Sequence, residues 1–217
     1  MKILSGIPVL ALLMVGAVTP SFATSLPVNG TVVPNTVATF FGFNTLGVIA
    51  SESYSATPAS GPPDTGTIET AVGTWSGNPF GPNDLTFVYI VLASSGDVTR
   101  VTGSDFAGFN IDVEQLAEGS NSKPAISADL NSLGVVGFNF TPPVGNELLA
   151  GNETYLLIVN TNATSFTAGT VSVIDAATAT DPAFEPTVAP EPSTLSLLGT
   201  GLLAVGAGLR RRMRRAV

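Results

Sequence analysis

Residues 85–92 read Leu-Thr-Phe-Val-Tyr-Ile-Val-Leu, and this run decides the class of fold. Alternate side chains of a strand point to opposite faces, so Phe87 and Tyr89 lie on one face and Val88 on the other. Apolar residues on both faces are typical of a strand in the middle of a buried sheet. The run is also rich in β-branched and aromatic residues and shorter than a typical helix. It predicts a central strand.

The other apolar runs of the chain have the same character. They cover residues 67–75, 135–140, 155–159 and 170–174, and each is bounded by Gly, Pro, Asn or Asp. Residues 76–84, which are rich in Gly, Pro and Asn, predict a long hairpin loop between two strands. Many short strands without intervening helices favour an all-β fold, an antiparallel β-sandwich of the immunoglobulin-like or jelly-roll type.

Three polar or Pro-rich segments are predicted to lie outside the strands. Residues 51–66 contain three prolines and predict an exposed loop. Residues 112–119 have apolar residues at helical spacing, which favours one or two helical turns or a structured loop. Residues 176–192 contain four prolines and predict a semi-extended stalk. The domain is therefore expected to span residues 24–175.

The charges are segregated along the chain. It has 8 Lys and Arg against 16 Asp and Glu, and no His. All the acids lie between Glu52 and Glu191, whereas most of the cations lie at the C-terminus. The clustered cations are Arg210, Arg211, Arg212, Arg214 and Arg215. A domain this acidic repels phosphate backbones, which excludes nucleic acid as a partner.

The N-terminus has the features of a secretory signal peptide. Lys2 precedes an apolar run over residues 3–18, and Ser21 and Ala23 provide small residues at positions minus three and minus one of a cleavage site. We therefore expect residues 1–23 to be removed by cleavage after Ala23. A retained membrane anchor is the alternative, and the shortness of the run disfavours it.

The C-terminus predicts a single transmembrane helix over residues 193–209, followed by a basic tail over residues 210–217. The uncharged run has 15 residues. A helix of that length covers about 22 Å, so polar flanks and snorkelling arginines are needed to reach the roughly 30 Å of a hydrocarbon core. The basic tail predicts a cytoplasmic C-terminus, in agreement with an exported N-terminus.

Pro190, Glu191 and Pro192 directly precede this helix. A Pro-Glu-Pro motif, a short hydrophobic helix and a terminal Arg cluster, in that order, resemble the PEP-CTERM sorting signal of Gram-negative bacteria. The resemblance implies export by the general secretion machinery, an inner-membrane-anchored precursor, and processing near the motif by an exosortase. The three residues would then be substrate residues and not catalytic ones. The alternative is an ordinary single-pass anchor.

Few side chains in the domain suggest chemistry. There is no Cys or His, so disulfides and the commonest zinc and haem ligands are excluded. Oxygen ligands that suit calcium crowd one segment, and the alternative is a solvated acidic loop. The weak calcium candidates are Asp105, Asn110, Asp112 and Glu114. Asp112 and Glu114 are also a candidate carboxylate pair for glycoside hydrolysis. The Ser-x-x-Lys match at Ser120 and Lys123 lacks its companion motifs and is interpreted as accidental.

Three aromatic residues are candidates for stacking on sugars. Trp75 and Phe80, with Tyr54, lie near loop-rich segments, although Trp75 also ends a strand-like run and would suit the core. Two functions therefore remain open. The first is a non-enzymatic surface or matrix protein with a structural or adhesive role, associated with exopolysaccharide. The alternative is a secreted carbohydrate-binding module or carbohydrate-active enzyme on the same β-scaffold.

Overall fold

A computed structural model of the chain describes residues 24–140 and 148–188. Within these residues there are sixteen strands and no helix, so no helix there is long and apolar enough to cross a membrane. The predicted signal peptide, transmembrane helix and basic tail lie outside the described residues. In chain order the strands are β1 (Gly30–Val32), β2 (Asn35–Thr36), β3 (Phe43–Ala56), β4 (Asp64–Trp75), β5 (Leu85–Ser95), β6 (Asp97–Val98), β7 (Arg100–Gly103), β8 (Ile111–Leu116), β9 (Ser122–Lys123), β10 (Ser127–Leu130), β11 (Val136–Asn139), β12 (Leu148–Leu149), β13 (Glu153–Thr154), β14 (Leu156–Thr161), β15 (Ser165–Ile174) and β16 (Thr178–Thr187).

The strands form two large sheets and one small pair. The six-stranded sheet has the order β1-β10-β11-β7-β15-β16. The eight-stranded sheet has the order β2-β8-β14-β5-β13-β9, and the β3–β4 hairpin joins it through β5. Strands β6 and β12 pair separately. The pairings are antiparallel except for β2 with β8 and β9 with β13. The all-β antiparallel class predicted from the sequence is confirmed.

The predicted central strand is β5. It pairs with β4 on one side and with β14 on the other, where Tyr89 lies opposite Leu157. Strands β4 and β5 form a hairpin whose loop covers residues 76–84, as the sequence predicts. Because β5 has neighbours on both sides, its backbone groups are paired within the sheet and its side chains are free to fill the core on both faces.

One apolar core is shared by the two large sheets. The eight-stranded sheet contributes Phe87 and Leu157, and the six-stranded sheet contributes Phe138 and Val171. Phe106 packs edge-on against Phe87 with ring centroids 5.3 Å apart. Burial of each such side chain stabilises the fold by about 1.5–3 kcal/mol, which matters in a domain without disulfides.

A second, smaller core covers the other face of the eight-stranded sheet. Val88 and Ile158 project from that face and belong to one buried cluster with Val37 and Trp75. Phe40, from the segment before β3, packs against this cluster. The sheet is therefore apolar on both faces, which explains why residues 85–92 carry no clean alternation of apolar and polar residues.

Two of the predicted irregular segments are wrong because they lie at sheet edges. Strand β3 continues to Ala56 and β4 begins at Asp64, so the loop predicted over residues 51–66 shrinks to residues 57–63. The stalk predicted over residues 176–192 is replaced by β16 as far as Thr187. Among the described strands β16 pairs with β15 alone, and an edge strand tolerates proline because half of its N–H groups need no partner strand.

The helical turns predicted over residues 112–119 are also wrong. Strand β8 occupies Ile111–Leu116 and pairs with β14 along its whole length. Polar residues alternate with apolar ones here, but the polar face is buried. Pairing between strands therefore decides the local structure.

Candidate functional site

The last strand of the described domain leads directly into the C-terminal motif. Strands β15 and β16 pair in continuous register from Ser165 opposite Thr187 to Ile174 opposite Thr178. Phe166 and Phe184 pack edge-on across this hairpin with ring centroids 5.5 Å apart. The chain is thus held in a sheet as far as Thr187. Pro190 to Pro192 and the arginines from 210 to 215 lie outside the described residues.

A cluster of buried polar side chains lies on strands β8, β14 and β5. The sequence alone does not predict that these side chains are hydrogen-bonded to one another. Asp112 and Glu114 are two residues apart on β8 and so share a face; they are 0% and 1% exposed. Asn160 lies opposite Asp112 in the register of β14. Its Nδ2 donates to Oδ2 of Asp112 at 3.0 Å and to Oε2 of Glu114 at 3.1 Å. One amide group therefore serves two buried carboxyl groups.

The amide of Asn160 is oriented by a chain of hydrogen bonds from β5. The hydroxyl of Thr86 donates to Oδ1 of Asn160 at 2.8 Å. Nδ2 of Asn78 in turn donates to Oγ1 of Thr86 at 3.2 Å, and also to the carbonyl of Leu85 at 3.2 Å. Because Thr86 accepts from Asn78, its own hydrogen points to Asn160. The NH₂ end of that amide must then face the acids.

The electrostatics of this cluster are dominated by burial. Burial raises the pKa of Asp112, and the hydrogen bond from Asn160 and the backbone N–H of Thr24 only partly oppose this rise. Oδ1 of Asp112 has no hydrogen-bond partner among the described residues. A buried carboxyl group that retains an unsatisfied oxygen is costly in its charged form.

The first described residues of the chain run along β8 beside this cluster. Ser25 forms an antiparallel bridge with Asp112. The N–H of Leu26 donates to the carbonyl of Ile111 at 2.9 Å, and the N–H of Val113 donates to the carbonyl of Thr24 at 3.3 Å. These bonds fix the backbone of Thr24 next to the carboxyl group of Asp112.

The ion pair formed between described residues lies in the other large sheet. Arg100 on β7 binds Asp129 on β10 through two parallel hydrogen bonds of 2.5 and 2.6 Å. Asn139 donates to the same carboxylate at 2.8 Å. Burial alone would raise the pKa of Asp129, but the bonds from Arg100 and Asn139 outweigh it and hold the pKa below its ordinary value.

The four candidate calcium ligands do not form one site. Asp105 and Asn110 are exposed on the loop before β8, whereas Asp112 and Glu114 are sealed beneath the surface. Within residues 24–140 and 148–188, no group of three or more acidic, His or Cys side chains is placed to hold a metal ion. The calcium prediction is therefore wrong for this set, because β8 turns its two acids inward. The predicted carboxylate pair does lie together, but without access to solvent.

The structure does not support a sugar platform at Trp75. This residue ends β4 and is 5% exposed; its Nε1 donates to the carbonyl of Phe41 at 3.0 Å, and Phe40 covers its ring at 4.7 Å. Tyr54 is buried in the main core. Phe80 is half-buried in the loop between β4 and β5. Of the three aromatic candidates, Phe80 alone retains a partly exposed ring.

Comparison with known proteins identifies the C-terminal motif. Residues 188–212 match the family model of the PEP-CTERM protein-sorting motif, which includes Pro190, Glu191 and Pro192 and reaches Arg212. The chain therefore carries this sorting signal, as the sequence predicts. The signal marks an exported protein that is made as a membrane-anchored precursor and processed by an exosortase on its way to the cell surface. No curated protein and no solved structure matches the chain.

Proposed function

We propose that the chain is a structural or adhesive protein of the surface or extracellular matrix of a Gram-negative-type bacterium, associated with exopolysaccharide and not itself an enzyme. The observation that carries the proposal is the position of the sorting motif, which begins at Val188 immediately after β16 ends at Thr187. The whole described β-structure precedes the signal. This β-structure is therefore the part of the protein that the signal delivers, and we infer that it is a β-sandwich.

The two ends of the chain complete the proposed route. A leader over residues 1–23 is cleaved after Ala23 as the chain is exported. The helix over residues 193–209 then holds the precursor in the inner membrane, with the basic tail over residues 210–217 on the cytoplasmic side. Exosortase cleavage near Pro190 to Pro192 finally separates the β-domain from this anchor.

The burial of the acids supports a non-enzymatic role. Retaining and inverting glycosidases need two carboxyl groups that flank a bound sugar. Asp112 and Glu114, the carboxylate pair that the sequence offers for this reaction, do lie together, but they are 0% and 1% exposed, so neither can flank a sugar. Acids in this position favour a structural role.

The edge strand β3 supports an adhesive or assembling role. It has 14 residues and pairs with β4 alone among the described strands. Leu46 and Val48 on β3 are 51% and 59% exposed. An unpaired edge with apolar side chains is a template for the addition of another strand, although two bulges divide this edge into short stretches.

The proposal is tested by fractionation of a PEP-CTERM host that expresses the full chain. The motif variant is Pro190→Ala/Glu191→Gln/Pro192→Ala, and the matched control is Pro58→Ala/Pro62→Ala/Pro63→Ala in the loop between β3 and β4. We expect wild type and control in the matrix, released when the polysaccharide is depolymerised enzymatically. The motif variant should stay in the membrane fraction.

Two results would replace the proposal. Wild-type protein that is free in the medium while the polysaccharide is intact would rule out the matrix role. Purified wild-type protein that shortens the host polysaccharide would favour the carbohydrate-active alternative, whereas reversible binding without turnover would favour a carbohydrate-binding module. Phe80→Ala is the first variant to assay in that case, because its ring is partly exposed.

A further inference from the structure

The buried carboxyl group of Asp112 lies beside the first residue of the expected mature chain. We propose that the buried carboxylate of Asp112 is the binding site for the α-ammonium group that leader cleavage creates at Thr24. The inference rests on the cleavage after Ala23 that is part of the proposed function. It assigns a role to an acid that is 0% exposed and has an oxygen without a hydrogen-bond partner among the described residues.

The backbone of residues 24–26 is paired with β8 at Asp112. Thr24 is held in place by the bond from Val113 N–H to its carbonyl, and the bridge between Ser25 and Asp112 follows at once. The backbone N–H of Thr24 is close enough to act on the carboxyl group of Asp112. A peptide nitrogen offers one neutral N–H, whereas an α-ammonium offers three N–H groups and a positive charge at the same position.

Among residues 24–140 and 148–188, the groups placed against Asp112 supply donors but no positive charge. The groups that face it from the neighbouring strands are the acid Glu114 on β8 and the neutral amide of Asn160 on β14. Strand β2, which pairs with the end of β8, contains only Asn35 and Thr36. Between described residues the ion pair that forms is Arg100 with Asp129, in the other sheet. A buried carboxylate without a cation is unfavourable, and a fixed ammonium removes that cost.

Leader cleavage supplies the missing charge by hydrolysis. Signal peptidase adds water across the amide bond between Ala23 and Thr24, which leaves a carboxylate on Ala23 and an amine on Thr24. That amine has an ordinary pKa of about 7.7–8.0, so it takes up a proton at neutral pH and is an ammonium. The pair with Asp112 therefore forms only in the processed chain, and cleavage and stabilisation of this sheet edge are coupled.

The test uses the processed wild-type chain isolated from the exported fraction. Intact mass first establishes that the chain begins at Thr24. An amine-reactive reagent is then applied across pH 6–10, and the N-terminal peptide is quantified by mass spectrometry in native protein and in protein unfolded in urea. We expect the native α-amine to react at least about tenfold more slowly at pH 6.5, because this pH lies well below its ordinary pKa of about 7.7–8.0 and an ion pair that raises that pKa by one unit then lowers the fraction of free amine by about that factor.

Two variants separate the charge of Asp112 from simple burial of the N-terminus. Asp112→Asn keeps the size and burial of the side chain but removes its charge, so labelling should accelerate toward the unfolded rate. Glu118→Gln, at an exposed acid just beyond β8, is the matched control and should leave labelling unchanged. If Asp112→Asn fails to fold, the test rests on the pH midpoint of α-amine labelling in the native wild-type protein. We expect this midpoint to lie at least about one pH unit above the ordinary pKa of an α-amine.

The outcomes distinguish this inference from the proposed function. A chain that begins at Thr24 but whose α-amine labels equally fast in native and unfolded protein overturns the inference and leaves the export route intact. Equal labelling of wild type and a folded Asp112→Asn variant overturns it as well. A mature chain that begins at any other residue contradicts the cleavage site in the proposed function and this inference together, without bearing on the C-terminal signal.

Discussion

Thr86 donates its hydroxyl hydrogen to Oδ1 of Asn160 over 2.8 Å, and this bond decides which end of the amide faces the acids. With its oxygen occupied, Asn160 turns its NH₂ group to Asp112 and Glu114. The polar cluster is therefore ordered across three strands. Buried networks of this kind rigidify a sheet when they are satisfied and are costly when one member is changed.

Asn160→Asp should destabilise the protein strongly. The substitution preserves shape but replaces the donor that two acids share with a third carboxylate. We expect the free energy of unfolding at pH 7 to fall by about 3–5 kcal/mol, as for other uncompensated buried charges. Urea denaturation followed by circular dichroism measures it. Asn121→Asp, at an exposed position, should change stability by no more than about 0.5 kcal/mol. A loss in Asn160→Asp as small as in this control would contradict the network.

The stability of the protein should depend on the protonation of Asp64. Burial raises the pKa of Asp64 above its ordinary 3.8, and the neighbouring carboxylates of Asp175 and Asp97 add to the rise. An acid whose pKa is raised by folding contributes its full stability at pH values below its ordinary pKa. This contribution is lost as the pH rises through the pKa of the group in the folded protein. Melting temperatures between pH 4 and 8 should therefore decline more steeply in wild type than in Asp64→Asn. Each such group contributes no more than about 1.4 kcal/mol per pH unit. Identical profiles would rule this out.

Gly137→Ala should break the ion pair between Arg100 and Asp129 without altering either partner. A Cβ atom at Gly137 would overlap the guanidinium group of Arg100, which crosses β11 at this point. We expect a loss of about 1–3 kcal/mol, since Asp129 would keep its burial but lose its charged donor. Gly119→Ala is the control, because its added Cβ would meet only a flexible Glu153 side chain at 3.2 Å. Equal stability of the two variants in urea would show that the pair contributes little.

Trp75 should report on the packing of the smaller core. It is the one Trp of the chain, and Phe40 covers its ring. Fluorescence of the native protein should be blue-shifted and resist quenching by acrylamide, and quenching should increase severalfold on unfolding. Trp75→Ala should cost about 3–5 kcal/mol, as expected for removal of a buried aromatic ring. Native fluorescence that is quenched as easily as in urea would place this ring on the surface.

The strands that the sequence predicts are those whose own residues carry the signal. Residues 85–92 and 155–159 are apolar on both faces because β5 and β14 contribute side chains to the main core on one face and to the smaller core on the other. Strand β3 is harder to predict, because its pattern is set by an exposed edge. Strand β16 is not predicted from the sequence because Pro182 and Pro186 argue against a strand, although an edge strand can contain them.

The buried acid cluster needs pairing information that a single sequence does not carry. Asp112 and Glu114 have the alternate spacing of a strand face, and Asn160 follows directly on an apolar run. These signals exist, but acids are ordinarily exposed, so a loop or a metal site is the natural interpretation. Only the register that places Asn160 opposite Asp112 turns them into partners.

The central claim is that the C-terminal signal directs this β-domain to the cell surface, and the most direct test is the intact mass and cell fraction of the protein from its own host, with and without the exosortase. We predict a chain that begins at Thr24 and ends near Pro190 to Pro192, found in the surface or matrix fraction only when the enzyme is present. A chain that still contains residues 195–217 and stays in the inner membrane of both strains would contradict the account and indicate a simple anchor.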